Sequence, residues 1–254
     1  MVIMEEKNIK LLISYDGSSF LGWQKQDNPS TIQQTIEEAI RDTLKTDVNL
    51  IGCGRTDAKV HAISYVANFI TYTRLSAENL KNAINSKVAP EIIIKEAEEV
   101  PLNFHSRYDA KGKIYRYLLT DVKSPFLKNY VTYVKPAPNL DKMLESTSFF
   151  CGTHNFKAFQ ASGNSIKNTV RKIDWIKIKK ERALVDKTIE VTSIEIKANG
   201  FLYKMARNIV GAILYAGWEK FAPEKISSLI ESEDRKLSPP TAKPEGLYLK
   251  QVFY

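Results

Sequence analysis

The stretch Leu50-Ile51-Gly52-Cys53-Gly54-Arg55-Thr56-Asp57-Ala58-Lys59-Val60-His61-Ala62-Ile63-Ser64-Tyr65-Val66-Ala67-Asn68-Phe69-Ile70-Thr71-Tyr72 reads as a strand, a polar loop and a second strand. Leu50 to Cys53 and Ser64 to Tyr72 carry the β-branched and aromatic residues of strands, and the loop lies between them. A link of this length joins neighbouring antiparallel strands, because a parallel pair needs a longer crossover. A loop held by two strands is also where chemistry is usually displayed on a rigid frame. An aspartate in a glycine-flanked turn is most often structural, since its short side chain bonds nearby backbone N–H groups. Here Asp57 has a Gly52-x-Gly54 approach, Arg55 two residues before it and His61 four after. That company makes Asp57 the first candidate for a functional carboxylate.

Working outward, Ile9 to Tyr15 reads as a strand, stopped by Asn28-Pro29-Ser30. Ser30 with Gln33 fits a capping box, and Ile32, Ile36, Ile40 and Leu44 share one face, so the spacing predicts a helix over Thr31 to Leu44. Ser76 caps a second helix carrying Leu80, Ala83, Ile84 and Lys87 and ending before Pro90. Glu91 to Val100 returns to strand, and Pro101 to Asp109 is the expected junction, dividing the chain into residues 1–105 and 106–254. The second half opens with an alternating strand, Ile114 to Thr120, then a helix from Asn139 and two long strands around Arg171 to Lys179 and Thr188 to Lys197. Leu202, Met205, Ala206, Ile209, Ile213 and Leu214 form an apolar helical stripe, with Arg207 expected at its edge. The charged run Lys177, Lys179, Lys180, Glu181 and Arg182 is expected at a hairpin tip in water. Five or more strands per half, with helices between them and hairpin-length links, indicate an α+β fold with a mainly antiparallel sheet.

Composition bounds the partner. The 254 residues are 43% hydrophobic, enough for a substantial core, and 37 Lys and Arg against 29 Asp and Glu leave a charge of +8. A basic chain favours a polyanionic partner by releasing its counterions. The only cysteines, Cys53 and Cys151, lie far apart, which argues against a disulfide scaffold or structural zinc. His61, His105 and His154 lack metal-ligand spacing, so no metal is expected. Gly52-x-Gly54 is not completed by a third glycine and no Gly-x4-Gly-Lys-Ser/Thr occurs, so no nucleotide cofactor is expected. The N-terminus lacks the basic and apolar regions of a signal peptide, and no apolar run is long enough for a membrane span. The expectation is a cytoplasmic, soluble protein.

Several motifs occur in one order: Tyr15-Asp16-Gly17, Gly22-Trp23-Gln24, Thr31-Ile32-Gln33, the Asp57 loop, Phe104-His105-x-Arg107 and Tyr115-Arg116-Tyr117. Gly152-Thr153-His154-Asn155-Phe156, Arg207-Asn208-Ile209-Val210-Gly211 and Glu245-Gly246-Leu247-Tyr248-Leu249 follow. In content and order they resemble the tRNA pseudouridine synthase A family across nearly the whole chain. The resemblance implies two related α+β halves with an active cleft between them, a homodimer and a tRNA partner. It implies isomerisation of uridine in the anticodon stem-loop, near positions 38 to 40, without a cofactor.

That reaction breaks the bond from ribose C1′ to N1 of uracil, turns the base and rejoins it through C5, with no net oxidation. It needs a carboxylate that attacks or deprotonates the nucleotide, a cation that keeps it ionised, and a pocket for the detached base. Resemblance assigns these roles to Asp57, Arg207 and Tyr115, with Arg55 placing the flipped nucleotide. Thr56, Lys59 and His61 of the same loop are the further candidates for substrate binding. One position departs from the family, which usually has Asp-Ala-Gly-Val-His where this chain has Lys59. If that site needs a positive φ, lysine costs roughly 1 to 2 kcal/mol; it could instead add a phosphate contact. The competing readings are a noncatalytic tRNA-binding protein or chaperone, and a diverged paralogue with another RNA target. A cysteine-dependent RNA methyltransferase using Cys53 or Cys151 lacks any nucleotide-cofactor motif.

Overall fold

The computed structural model describes residues 4–27, 30–163 and 168–254. The stop expected at Asn28-Pro29 lies outside the described residues. By compactness the chain divides into Met1–Lys111 with Leu249–Tyr254, and Gly112–Tyr248. Against the division expected at 105/106, the boundary falls later and the last strand returns to the first unit.

The first unit contains β1 (Glu6–Tyr15), α1 (Ile32–Leu44), β2 (Ile51–Gly52), β3 (His61–Tyr72), α2 (Ala77–Asn85) and β4 (Ile92–Val100). Its strands run β4-β1-β3, with the C-terminal strand next to β3 and β2 pairing separately with β3. The β1 pairs are antiparallel, Leu11 opposite Ala67 on β3 and Ala97 on β4. Ile9, Leu11 and Ile13 alternate inward and are fully buried, as are Ile32, Ile36 and Ile40 of α1 and Leu80 and Ile84 of α2. Ser76 caps α2 as expected. The cap of α1 is shifted by one residue: Thr31 Oγ1 accepts from Gln34 N at 3.4 Å, and Ser30 stands at a φ of 85°. The strand expected over Leu50 to Cys53 is only two residues long.

The second unit contains β5 (Gly112–Thr120), β6 (Thr132–Tyr133), α3 (Leu140–Thr147), β7 (Gly152–Asn155), β8 (Val170–Arg182), β9 (Glu190–Ala198), α4 (Met205–Gly217) and α5 (Lys225–Ser232). Its strands run β5-β9-β8-β7, antiparallel throughout, with β6 added parallel to the end of β5. The chain closes with β10 (Leu247–Phe253). Helix α4 differs from the expected stripe, since 11 of its 13 residues are buried and Arg207 and Tyr215 are the exceptions. The charged run Lys177 to Arg182 is not a hairpin tip. It lies within β8, where Glu181 pairs with Arg116 and Lys180 with Glu190. The turn itself runs from Ala183 to Ile189, with Leu184 96% exposed and Asp186 Oδ1 accepting from Thr188 N. The fold is α+β and mainly antiparallel. Among the described residues no helix is long and apolar enough to cross a membrane.

Candidate active site

The loop from Cys53 to Val60 is built against the turn that follows β1. Val60 N donates to Asp57 O at 3.2 Å, closing a tight turn whose third residue, Lys59, has a φ of 64°. The position where the family usually has glycine is therefore left-handed here, and lysine carries the strain. Lys59→Gly is expected to gain about 0.5 to 1 kcal/mol, the released strain partly offset by the greater freedom of glycine in the unfolded chain. Urea unfolding checks this; an unchanged or lowered midpoint counts against a strained lysine.

Two glycines bring the opening turn onto this loop. A Cβ on Gly17 would lie 2.0 Å from Val60 O, and one on Gly22, at a φ of 99°, would lie 2.6 Å from Thr56 O. Trp23 N donates to Thr56 O at 3.1 Å, while the carbonyls of Gly22 and Trp23 accept from Ile32 N and Gln33 N at the start of α1. The N-terminus of that helix is thereby satisfied, and its position is tied to the loop. Gln33 completes the clamp: its Oε1 accepts from Gln24 Nε2 and Lys25 N, and its Nε2 donates to Leu50 O at 3.1 Å. Beneath the loop Trp23 stacks on Tyr65 with ring centroids 3.9 Å apart, and a Cβ on Gly52 would strike the Tyr65 hydroxyl and the Trp23 ring.

The loop's own side chains divide by exposure. Thr56 is 9% exposed and its hydroxyl is 2.8 Å from that of Tyr15. His61 is 2% exposed, with Nδ1 at 3.1 Å from both Gly17 N and Asp16 Oδ1. These partners suit both side chains to holding the loop rather than touching a ligand. Asp57 is half-buried at the turn, and Arg55 and Lys59 reach solvent on either side of it.

In the second unit, Tyr115 and Tyr117 do share a face of β5 but differ in fate. Tyr117 is buried, its hydroxyl 2.7 Å from that of Thr132 and donating to Lys243 O at 2.9 Å; burial pushes its phenol above the ordinary range. Tyr115 is half-buried, its ring near-perpendicular to that of Phe201 with centroids 4.8 Å apart, and is the tyrosine of the pair that retains accessible surface. Arg116, on the opposite face, is engaged by Glu181 and Glu195.

Arg207 stands in the first turn of α4 and its Nε donates to Ala242 O at 2.8 Å, while Ala242 N donates back to Arg207 O at 3.2 Å. The segment holding Ala242 is fixed by a network the sequence reading missed. Asn208, fully buried, donates to Phe159 O at 2.7 Å and accepts from Arg235 and Thr241. Arg235 also donates to Ser238 O and Pro239 O. Gly211 admits the carbonyl of Pro240, which a Cβ would meet at 2.2 Å. The motif Arg207-Asn208-x-x-Gly211 is thus a device for aiming one guanidinium. The signal available in the sequence was an asparagine in the middle of an apolar helix, where a side chain with two donors and an acceptor demands buried partners.

The other histidines have structural work. His105 Nδ1 accepts from Arg107 N and Tyr108 N, and His154 Nε2 lies 3.0 Å from Cys151 O.

A family described as tRNA pseudouridine synthase matches residues 11–109 and 148–254. The curated protein "tRNA pseudouridine synthase A 2" of Clostridium perfringens is 44% identical over 250 residues, spanning 98% of this chain and 100% of that one. The protein of the same name in Clostridium tetani is 42% identical over 252 residues, spanning 98% and 99%. "tRNA pseudouridine synthase A" of Acetivibrio thermocellus is 42% identical over 250 residues, spanning 98% and 100%.

Proposed function

Because the chain belongs to the tRNA pseudouridine synthase family, we propose that it isomerises uridine to pseudouridine in the anticodon stem-loop of tRNA, at positions 38, 39 or 40, with Asp57 as the essential carboxylate. The observation that carries the assignment of Asp57 is its turn. Gly17, Gly22, Trp23 and the pair Tyr15–Thr56 hold that turn from several sides and present a half-buried carboxylate at its first residue. In this reading Asp57 attacks or deprotonates the nucleotide, Arg207 is its cationic partner, and Tyr115 lies against the uracil. Arg55 and Lys59 contact the flanking phosphates, and Thr56 and His61 position the loop. The bond from C1′ to N1 breaks, the bond from C1′ to C5 forms, and the C5 hydrogen leaves to water while N1 takes a proton, so that atoms balance without an oxidant. The chain acts as a homodimer in the cytoplasm, where unmodified tRNA is found.

Tritium release from tRNA labelled at C5 of uracil tests the reaction, and mapping of carbodiimide adducts by primer extension tests the positions. Release with adducts outside the anticodon stem-loop would instead support the diverged paralogue, and binding without release the noncatalytic protein. Sedimentation tests the dimer.

Arg207→Met is expected to lower kcat by roughly 100-fold or more, the size of loss seen when one group stabilising charge in a transition state is removed. The fold should lose only about 1 kcal/mol, for the hydrogen bond to Ala242 O. Near-native turnover with an intact fold would remove Arg207 from the mechanism.

A further inference from the structure

Beyond the end of β5, residues of the 120–133 segment and Lys243 enclose an open pocket of about 330 Å³. Lys123, Lys128 and Lys243 are on its lining, with Ser124 and Tyr133. Among the described residues none of these lysines is held in an ion pair, and Glu245 is the one carboxylate on the lining. Lys123 Nζ lies 5.4 Å from the centre of the Tyr133 ring. The floor is firm: Leu127 and Val131 belong to a buried cluster with Ile189 and Val191. Three lysines against one glutamate on the lining leave the concavity with a positive balance, which favours an anion there.

The pocket is anchored to the strand that carries Tyr115. Lys243 O accepts from the Tyr117 hydroxyl, and Gly246, next to Glu245, accepts from Leu118 N at 2.8 Å. From Tyr115 to Thr120 the strand advances five residues, or roughly 17 Å at about 3.3 Å each. That is beyond the reach of a single nucleotide.

We infer that this pocket is a subsite for the tRNA backbone, in which Lys123, Lys128 and Lys243 hold phosphates of nucleotides flanking the target uridine. Lysine, serine and tyrosine are groups that commonly contact phosphate, and such contacts fix the register of an RNA without reading its sequence. The inference rests on the tRNA reading above and adds to it which surface outside the reacting centre carries the affinity.

The test uses the full chain and an unmodified tRNA transcript. The triple variant Lys123→Gln, Lys128→Gln, Lys243→Gln is compared with a charge-matched control, Lys87→Gln, Lys225→Gln, Lys236→Gln, at other exposed lysines. Kd is followed against salt, and tritium release is measured alongside. The pocket variant is expected to bind at least ten-fold more weakly, to lose about two to three units of log–log salt slope, and to show a raised KM with kcat within two-fold. The control is expected to lose less than about one unit of slope. Unchanged binding, or equal losses in both triples, overturns the subsite even if the native chain isomerises uridine. Competition by inorganic phosphate at constant ionic strength as strong as that of RNA overturns it in favour of a free-phosphate site. A native chain that binds tRNA without releasing tritium defeats the proposed reaction and leaves the subsite standing; one that binds no tRNA defeats both. Thermal melting of each triple variant shows that the comparison is between folded proteins.

Discussion

Asp57→Asn is expected to abolish tritium release from C5-labelled tRNA, by about 1,000-fold or more, while binding of tRNA stays within about two-fold. The substitution is nearly isosteric, and the turn it sits in is closed by backbone atoms, Val60 N on Asp57 O, which asparagine supplies equally. Asparagine also tolerates tight turns as well as aspartate does. What it lacks is a negative charge, so it can neither act as an anionic nucleophile nor take up a proton as a carboxylate base. Binding that rests on phosphates has no need of that charge. Release at a tenth of the native rate or better would mean that another group performs the step. Loss of binding together with release would mean that Asp57 is a structural residue of the loop after all, which is what a lone aspartate in a glycine-flanked turn usually is.

The second large effect is expected from a residue that has no side chain. Gly17→Ala places a methyl 2.0 Å from Val60 O and 2.7 Å from Val60 C, both backbone atoms that cannot rotate aside. Either the turn after β1 or the loop carrying Asp57 must move. The expected cost is about 2 to 3 kcal/mol of stability, the upper range for overpacking. A displacement of even about 1 Å at the carboxylate should lower kcat by roughly 100-fold. Gly200→Ala is the control, because its Cβ would meet only the Arg171 side chain at 3.4 Å; it is expected to cost less than about 1 kcal/mol. A Gly17 variant that matches this control in stability and turnover would show that the two segments are not in register as described.

The two substitutions separate what could be read from residues in order and what could not. Asp57 stands out in the sequence because its neighbours within the loop are unusual together, and α2 was legible because its cap and apolar spacing are local. The capping of α1 was misplaced by one residue, since its first amides are satisfied by the carbonyls of Gly22 and Trp23 from the preceding turn. The run Lys177 to Arg182 was read as a tip because charge usually marks solvent, yet it is a strand held by partners on other strands, Arg116 and Glu190. Thr56 and His61 share the loop with Asp57 and looked equivalent to it in sequence. Tyr15, Asp16 and Gly17, some forty residues earlier in the chain, occupy them.

By itself, the sequence determined the element types over most of the chain, the α+β class, the basic surface and the family, because hydrophobic period, turn chemistry, charge and ordered motifs all reside in neighbouring residues. Only the tertiary structure decided that Lys59 is left-handed, that Tyr117 is core while Tyr115 is accessible, that Asn208 and Arg235 brace Arg207, and that Lys123, Lys128 and Lys243 line one pocket. Each of these depends on contacts between residues far apart in the chain, where steric exclusion and the need to satisfy buried polar groups act through the folded shape and leave no local pattern.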